Sequence, residues 1–418
     1  MLEAALKRIY SRDFHPMTDI EQNLFHEFLR TFNTAADQGF SKSVDPDDDF
    51  RAAIRHSNAV FSAFKTHRLQ NDMAARLLDE SGDLKPFKQW KKDVQGIASH
   101  QCNAWLRTEY DTAVIRARQA ADWKQFERER DVLPNLKWLP STSLHPGEDH
   151  RPLWGTILPI GHPFWSQHRP GDRWNCKCDL TSTDEPPTPV PSVAAAEQPV
   201  NSPHRGLDNN PGTDGALFSD SHPYFPSDCR HCAFYRPSRR AYLRTFFENR
   251  AKDCYNCPYI NGCIDKTLAK HIDGYDEKQW ELSYRSESGF VMTELERLVE
   301  SRKSKQAMQI YKKEMNMCRV AADNGHIVEY LHSENRQPGD TYDITIDKIP
   351  ADLKSTDGTG NIVKYVKKAC KSQGARAVLL ELGSHLPEVY ERLNEAKRKY
   401  KARIFFYFKD EKIVREYK

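Results

Sequence analysis

The chain has 418 residues, of which 38% are hydrophobic and 29% charged, and its formal net charge is only +3. This length allows about two to four domains, and the near-neutral charge excludes a general polyanion-binding protein, so any nucleic-acid surface must be local. There is no run of roughly 18 apolar residues, and the first residues lack a signal-peptide core. We therefore expect cytoplasmic synthesis and no membrane partner.

Residues 1–130 are predicted to be mostly helical, because apolar residues recur at helical spacing in two stripes. The first stripe consists of Leu24, Phe25, Phe28, Leu29 and Phe32. The second consists of Cys102, Trp105, Leu106, Tyr110, Ala113, Val114 and Ala117. We interpret this region as a helical scaffold without chemistry of its own.

Residues 131–182 are rich in Trp, Pro, His and Gly and show little periodicity. His150 is followed by Gly155, and an aromatic, proline-rich stretch then leads to Cys176-Lys-Cys178. With the preceding helix that carries Arg107-Thr-Glu109, about residues 60–182 resemble the phage Mu F-like minor head protein family. The resemblance implies a role in head morphogenesis, portal and capsid proteins as partners, and the virion as the location after assembly.

The same region contains candidate metal ligands. A Cys-x-Cys pair with one or two histidines can complete a tetrahedral zinc site. Cys176 and Cys178 would be joined by His150, and His145 is a candidate fourth ligand. The alternative is that these side chains pack together or form a local redox pair.

Two segments with distinct compositions follow. Residues 183–227 contain seven prolines between Pro186 and Pro211, which predicts a semi-extended linker without a core. Residues 228–299 are predicted to form a zinc-binding connector. They contain two C-x-x-C pairs that could form a closed structural zinc site, with two disulfides as the alternative. The four ligands would be Cys229, Cys232, Cys254 and Cys257.

Residues 300–418 are predicted to be an α/β domain with a central mixed sheet flanked by helices. Period-2 and period-3.6 apolar patterns alternate along this part of the chain. The predicted elements are, in order, helix Ala307–Asn324, strands Ile327–Leu331, Tyr342–Ile346 and Ile349–Leu353, helix Asn361–Ser372, strand Ala375–Leu382, helix Leu386–Tyr400 and strand Arg403–Phe408. The whole chain is therefore expected to be multidomain α+β.

The second and third of these strands carry Asp343, Asp352 and Lys354. Residues two apart on a strand share a face, so Asp352 and Lys354 should project together. Two carboxylates can hold a hard divalent cation, and a nearby ammonium can steady a phosphate or activate water. These residue types in this pattern indicate a metal-dependent nuclease.

The order of elements, with these residues on it, resembles the PD-(D/E)xK nuclease core. It is most similar to the C-terminal toxin domains of contact-dependent inhibition and other polymorphic toxins. The resemblance implies Mg²⁺ or a similar ion at Asp343 and Asp352, with Lys354 as the motif lysine. It also implies Glu314 as the first-helix acid, Gln373 as the glutamine that closes the second helix, and a cognate immunity protein.

The basic helix supplies a candidate surface for DNA or RNA. Its exposed cations would be Lys364, Lys367, Lys368 and Lys371. The combined hypothesis is a phage or prophage minor head protein that carries a C-terminal nuclease effector.

Two alternatives to this hypothesis stay open. One is a purely structural head protein without activity. The other is a metal-independent RNase similar to barnase, EndoU or RelE, in which Lys354 would act with His326 or His332.

Overall fold

The computed structural model describes most of the chain. The described residues are 2–41, 47–191, 202–235, 252–286, 288–332, 339–383 and 385–417. They belong to two compact units, Met1–Thr267 and Leu268–Lys418. Within this described part, no helix has both the length and the apolar character needed to cross a lipid bilayer.

The first unit is mainly helical, as predicted for residues 1–130. Its helices among the described residues are α1 (Leu2–Tyr10), α2 (Gln22–Phe40), α3 (Asp48–Ala74), α4 (Phe87–Ser99), α5 (Trp105–Glu129), α6 (Phe164–Gln167) and α7 (Pro211–Asp214). Helix α8 (Pro258–Ile272) begins in this unit and ends in the second. A π-helical turn, His100–Ala104, joins α4 to α5. The strands β1 (Asn135–Leu139), β2 (Ile157–Pro159) and β3 (Asp179–Thr183) form an antiparallel sheet in the order β2-β1-β3.

The first apolar stripe forms the core side of α2, and all five of its residues are buried. Helix α2 packs against α3 and α5. The crossing with α5 is close at Gly39, where an added Cβ would lie 2.5 Å from the carbonyl oxygen of Val114. The second stripe is buried at Ala113 and Ala117, whereas Trp105 stays 46% exposed.

The segment 202–227 corrects the prediction of a linker, because it packs into the first unit. Its buried apolar residues are Leu207, Ala216, Leu217, Phe218, Tyr224 and Phe225. The fully buried Arg116 of α5 binds this segment by donating to the carbonyl oxygen of Leu217 at 2.6 Å and to Asn209 Oδ1 at 2.6 Å. Pro211 begins α7, and the apolar residues that follow it supply a core that the composition concealed.

The second unit is built on an eight-stranded mixed sheet. Its strands are β4 (Trp280–Arg285), β5 (Phe290–Glu294), β6 (Ile327–Tyr330), β7 (Ile344–Ile346), β8 (Ile349–Thr356), β9 (Ala377–Leu382), β10 (Arg403–Phe408) and β11 (Arg415–Tyr417). They lie side by side in sequence order. The pairs β5–β6, β8–β9 and β9–β10 are parallel, and the other neighbours are antiparallel.

Helices cover both faces of this sheet. They are α9 (Leu295–Ser301), α10 (Lys305–Asp323), α11 (Ile362–Ser372) and α12 (Pro387–Tyr400). Met315, Cys318 and Ala321 of α10 are buried against one face. Helices α11 and α12 bury apolar residues such as Val366 and Leu393 against the other face. The predicted mixed sheet flanked by helices is therefore confirmed, with α10 through β10 in the predicted order.

The sheet begins earlier in the chain than predicted. Strands β4 and β5 and helix α9 precede residue 305 and belong to the second unit. The alternation of apolar and polar residues in Trp280–Arg285 is weak, because this edge strand has no buried residue. The predicted connector 228–299 therefore divides, and its cysteine pairs lie in the first unit.

Packing of Phe218 provides a test of the corrected first unit. The ring of Phe218 is 1% exposed and stacks on Phe61 with ring centroids 4.3 Å apart. We predict that Phe218→Ala lowers the free energy of unfolding by about 3–5 kcal/mol, since it leaves a cavity in a packed core. Urea unfolding followed by tryptophan fluorescence measures this change. Leu144→Ala is the control, because Leu144 is 95% exposed. An equally small loss of free energy of unfolding in both variants would favour the predicted linker instead.

Candidate functional site

Pairing of β7 with β8 brings Asp343 and Asp352 together. Ile344 pairs with Ala351 in this antiparallel register, so the preceding Asp343 lies opposite the following Asp352. The backbone N–H of Leu353 donates to Asp343 Oδ2 at 3.3 Å, which fixes that carboxylate beside β8. Asp352 is fully buried, so its charge needs compensation from its neighbours.

Lys354 and Gln373 provide that compensation. The ammonium of Lys354 forms an ion pair with Asp352 Oδ2, as the shared strand face predicts. Gln373, which follows α11, donates from Nε2 to Asp352 Oδ1 at 3.1 Å. The backbone of Gln373 is held in turn, since its carbonyl oxygen accepts a hydrogen bond from the N–H of Thr341 at 3.0 Å. The remaining side-chain oxygen of Gln373 is buried without a hydrogen-bond partner.

The electrostatics of this pair favour a retained proton. Burial raises the pKa of Asp352 to about 8, and the hydrogen bond and charge of Asp343 act in the same direction. Lys354 opposes the shift without cancelling it. The neighbouring carboxylate of Asp343 therefore disfavours the charged form of Asp352, even with the ammonium of Lys354 beside it.

Glu314 of α10 lies near Asp343, but its carboxylate is already engaged. Its Oε2 accepts hydrogen bonds from the hydroxyl of Tyr330 and, at 3.0 Å, from Arg297 Nη2. Burial raises the pKa of Glu314, and the charge of Asp343 adds to the shift. The guanidinium of Arg297 also lies over the ring of Tyr330, 4.8 Å from its centroid. Arg297 and Tyr330 lie outside the motif, so the sequence pattern does not indicate their contact with Glu314.

The four lysines of α11 project into solvent. They are Lys364, Lys367, Lys368 and Lys371, and each is exposed. The opposite side of the helix, with Ile362, Val366 and Ala369, is buried. The helix therefore presents a cationic surface and joins the candidate site through Gln373 at its end.

The two histidines of the metal-independent alternative lie at different ends of β6. Leu331 N–H donates to the carbonyl oxygen of Asp343, so His332 lies at the end with the carboxylates. Its ring faces Glu296 at 3.6 Å and Glu300 at 3.8 Å. His326 precedes Leu331 by five residues, so it lies about 16 Å away along the strand direction, and it bonds to Asp347 at 2.9 Å. The structure therefore does not bring His326 to Lys354.

A second candidate site lies in the first unit, where His150, Cys176 and Cys178 meet. His150 Nδ1 is 3.3 Å from Cys176 Sγ and 3.7 Å from Cys178 Sγ. The donor atoms of the three residues all lie within 4.8 Å of one another, so the group could hold a metal ion. No other group of three His, Cys, Asp or Glu donors in the described part of the chain meets this distance. His145 lies on the wall of the same cavity but outside the group.

The pKa values within this group are strongly shifted. Burial lowers the pKa of His150, but hydrogen bonds to Asp172 and Cys178 outweigh it and raise that pKa to about 9. A hydrogen bond from Cys176 lowers the pKa of Cys178 to about 4, with His150 and Trp154 contributing. In Cys176 the pKa is raised instead. The pKa values of His150 and Cys178 shift in opposite directions, so each of the two residues favours the charged form of the other.

The two C-x-x-C pairs are neighbours but do not form a compact ligand group. Burial raises the pKa of Cys232, and the charges of Cys229 and Cys257 add to that shift, which places these thiols near one another. Cys254 is buried, and the charge of Cys232 contributes to its raised pKa. No three of these four sulfurs in the described structure lie within 4.8 Å of one another. The structural zinc site at these cysteines therefore stays a prediction.

Comparisons with models of protein families, with curated proteins and with solved structures found no match.

Ionisation of Asp352 makes the stability of the second unit depend on pH. Its pKa is about 8 in the folded chain and about 3.9 in an unfolded one, so the folded state keeps a proton that the unfolded state loses. We predict that this stabilisation is fully present below about pH 4 and is lost as the pH rises through about 8. Thermal unfolding in a chelator between about pH 5 and pH 9 measures the loss.

The variant Asp352→Asn should lack this loss, because an amide does not ionise. Asp357→Asn is the matched control, since Asp357 is exposed and Lys409 lowers its pKa. The control should keep the pH dependence of the wild type. Parallel Tm curves for the wild type and Asp352→Asn would contradict the raised pKa.

Proposed function

We propose that residues 268–418 form a metal-dependent nuclease that hydrolyses phosphodiester bonds in DNA or RNA. The observation that carries this proposal is the Asp343–Asp352 pair, held beside Lys354 and Gln373 at adjoining strands. The element order α10-β6-β7-β8-α11-β9 supports it, because it is the order expected of a PD-(D/E)xK core. An active nuclease of this toxin-like type would need a cognate immunity protein as its partner.

The donor set fits Mg²⁺ or a similar hard cation. Asp343 and Asp352 would hold it, and the raised pKa of Asp352 indicates that Lys354 alone does not compensate both carboxylates. Mg²⁺ usually takes only one or two protein carboxylates and keeps waters and phosphate oxygens as its other ligands. When bound, such an ion polarises the phosphate and lowers the pKa of a water. Glu314, engaged by Arg297 and Tyr330, would act as a further carboxylate next to Asp343.

The remaining groups have roles that follow from their positions. The ammonium of Lys354 would stabilise negative charge that develops on the phosphate during attack. Gln373 would orient Asp352, to which it already donates a hydrogen bond. The exposed lysines of α11 would follow the nucleic-acid backbone with little dependence on its sequence.

For the first unit we propose a head-protein role with zinc as the metal at His150, Cys176 and Cys178. Two thiolates and an imidazole are ligands that zinc prefers. The gathering of these residues supports the resemblance to Mu F-like minor head proteins, whose motif contains them. Portal and capsid proteins would be the partners and the phage head the location. Cys229, Cys232, Cys254 and Cys257 would hold a second, structural zinc ion.

Cleavage assays with the full chain test the nuclease proposal. We predict that Asp352→Ala lowers the cleavage rate by more than about a hundredfold. This loss exceeds the roughly 10–100-fold loss that is typical when a residue that only supports a metal ligand is changed. Lys354→Met should lower it by about 10²–10³, as removal of one group that stabilises the transition state does. Plasmid DNA and total tRNA are the substrates, each in Mg²⁺ and in EDTA, and Asp357→Asn is the control.

Each outcome separates the hypotheses. Cleavage lost in EDTA and in Asp352→Ala supports the proposal and identifies the nucleic acid. Cleavage that persists in EDTA favours the metal-independent RNase with Lys354 and His332. If folded wild-type protein cleaves neither substrate, the chain is a structural head protein.

Binding measurements test the cationic face of α11. We predict that changing Lys364, Lys367, Lys368 and Lys371 together to Gln weakens binding to every sequence. The slope of log Kd against log salt should fall by about one for each lysine that contacts a phosphate. Fluorescence anisotropy of an oligonucleotide with the Asp352→Ala protein measures this slope. Arg398→Gln with Lys399→Gln on α12 is the control, and an equal change in both variants would contradict the assignment.

A further inference from the structure

The His150–Cys176–Cys178 centre offers three protein donors, whereas a closed zinc site has four. Zinc sites that only stabilise a fold are almost always four-coordinate, and sites with three protein ligands keep the fourth position for water or substrate. In the described part of the chain, no fourth Cys, His, Asp or Glu donor joins the three within 4.8 Å. The donor count therefore favours a centre with an exchangeable position.

The neighbours of the three donors hold them in a geometry suited to a metal. His150 Nε2 donates to Asp172 Oδ1 at 2.7 Å, which leaves Nδ1 directed at the two sulfurs. Asp172 is 1% exposed and forms an ion pair with Arg173 at 3.2 Å. The indole N–H of Trp154 donates to Cys178 Sγ at 3.4 Å. A carboxylate that fixes the tautomer of a ligating histidine is the usual partner of protein-bound zinc.

A cavity of about 550 Å³ opens at this centre. His150, Cys176 and Cys178 lie on its wall with Trp174 and His145. Cys176 is partly exposed, so the cavity reaches one of the donors directly. This volume is within the range of roughly 300–1,000 Å³ that is typical of sites for small ligands.

The lining of the cavity favours an anionic ligand with an oxygen donor. The exposed Lys177 and His145 both contribute to the wall. Asp111 is the acidic residue of the wall, and its charge is compensated by Arg107 at 2.8 Å. A carboxylate or hydroxamate could thus coordinate a metal through oxygen while its charge faces Lys177.

We infer that this centre binds a metal ion with one exchangeable position and takes a small carboxylate-like oxygen donor from the cavity. The inference rests on the proposed metal at these three residues. It adds a ligand-binding, Lewis-acid role that a purely structural zinc ion would not have. It is independent of the nuclease site in the second unit.

Cobalt substitution of the full chain tests the inference. The protein is prepared anaerobically with Co²⁺, whose visible spectrum reports thiolate ligation and coordination geometry, and is then titrated with acetohydroxamate. The double variant Cys176→Ser with Cys178→Ser, treated identically, is subtracted. The difference spectrum then excludes cobalt at Cys229, Cys232, Cys254 and Cys257 and at the carboxylates. We expect one extra equivalent of Co²⁺ in the wild type and a saturable spectral shift with acetohydroxamate.

The possible failures are distinct. Equal cobalt content in the wild type and the double variant would overturn the metal site itself. A thiolate–cobalt spectrum that does not respond to acetohydroxamate would leave the metal in place and overturn the exchangeable position. Lys177→Ala should keep the cobalt stoichiometry and weaken acetohydroxamate binding. An unchanged affinity in that variant would overturn the anionic ligand class.

Discussion

The burial of Asp352 is the constraint on which the second unit depends. A fully buried carboxyl group on a central strand is tolerated only when its neighbours compensate it. Here Lys354 from the same strand, Gln373 from the end of α11 and Asp343 from β7 all contact it. Strands β7 and β8 and the end of α11 therefore converge on one side chain. The carboxyl group that would hold a cation thus also fixes the register of β7 with β8 and the position of the end of α11.

Much of this arrangement could be predicted from the sequence. Long apolar runs separated by polar turns gave α10 through β10 in the right order, and the period of two placed Asp352 and Lys354 on one face. The environment of Glu314 could not be predicted, because Arg297 reaches it from α9 across 17 positions and Tyr330 from β6 across 16. Such contacts depend on the parallel pairing of β5 with β6, for which a local pattern contains no signal.

The first unit shows where composition misleads. The prolines of segment 183–227 predicted a linker, yet Arg116 and Phe61 bind its later half into the helical core. The order of the cysteines and histidine predicted the group at His150 correctly. The role of Asp172 could not be predicted. It hydrogen-bonds His150 Nε2 and so orients the ring, but no sequence pattern distinguishes it from other acidic residues.

We propose that a divalent cation binds Asp343 and Asp352 and displaces the proton that the raised pKa of Asp352 favours. Calorimetric titration of Mn²⁺ into the full chain near neutral pH, repeated in buffers with different ionisation enthalpies, counts the protons released. We expect release of about one proton per ion bound at this site, and no such release in Asp352→Asn. Binding that releases no proton, or a release that is unchanged in Asp352→Asn, would contradict it.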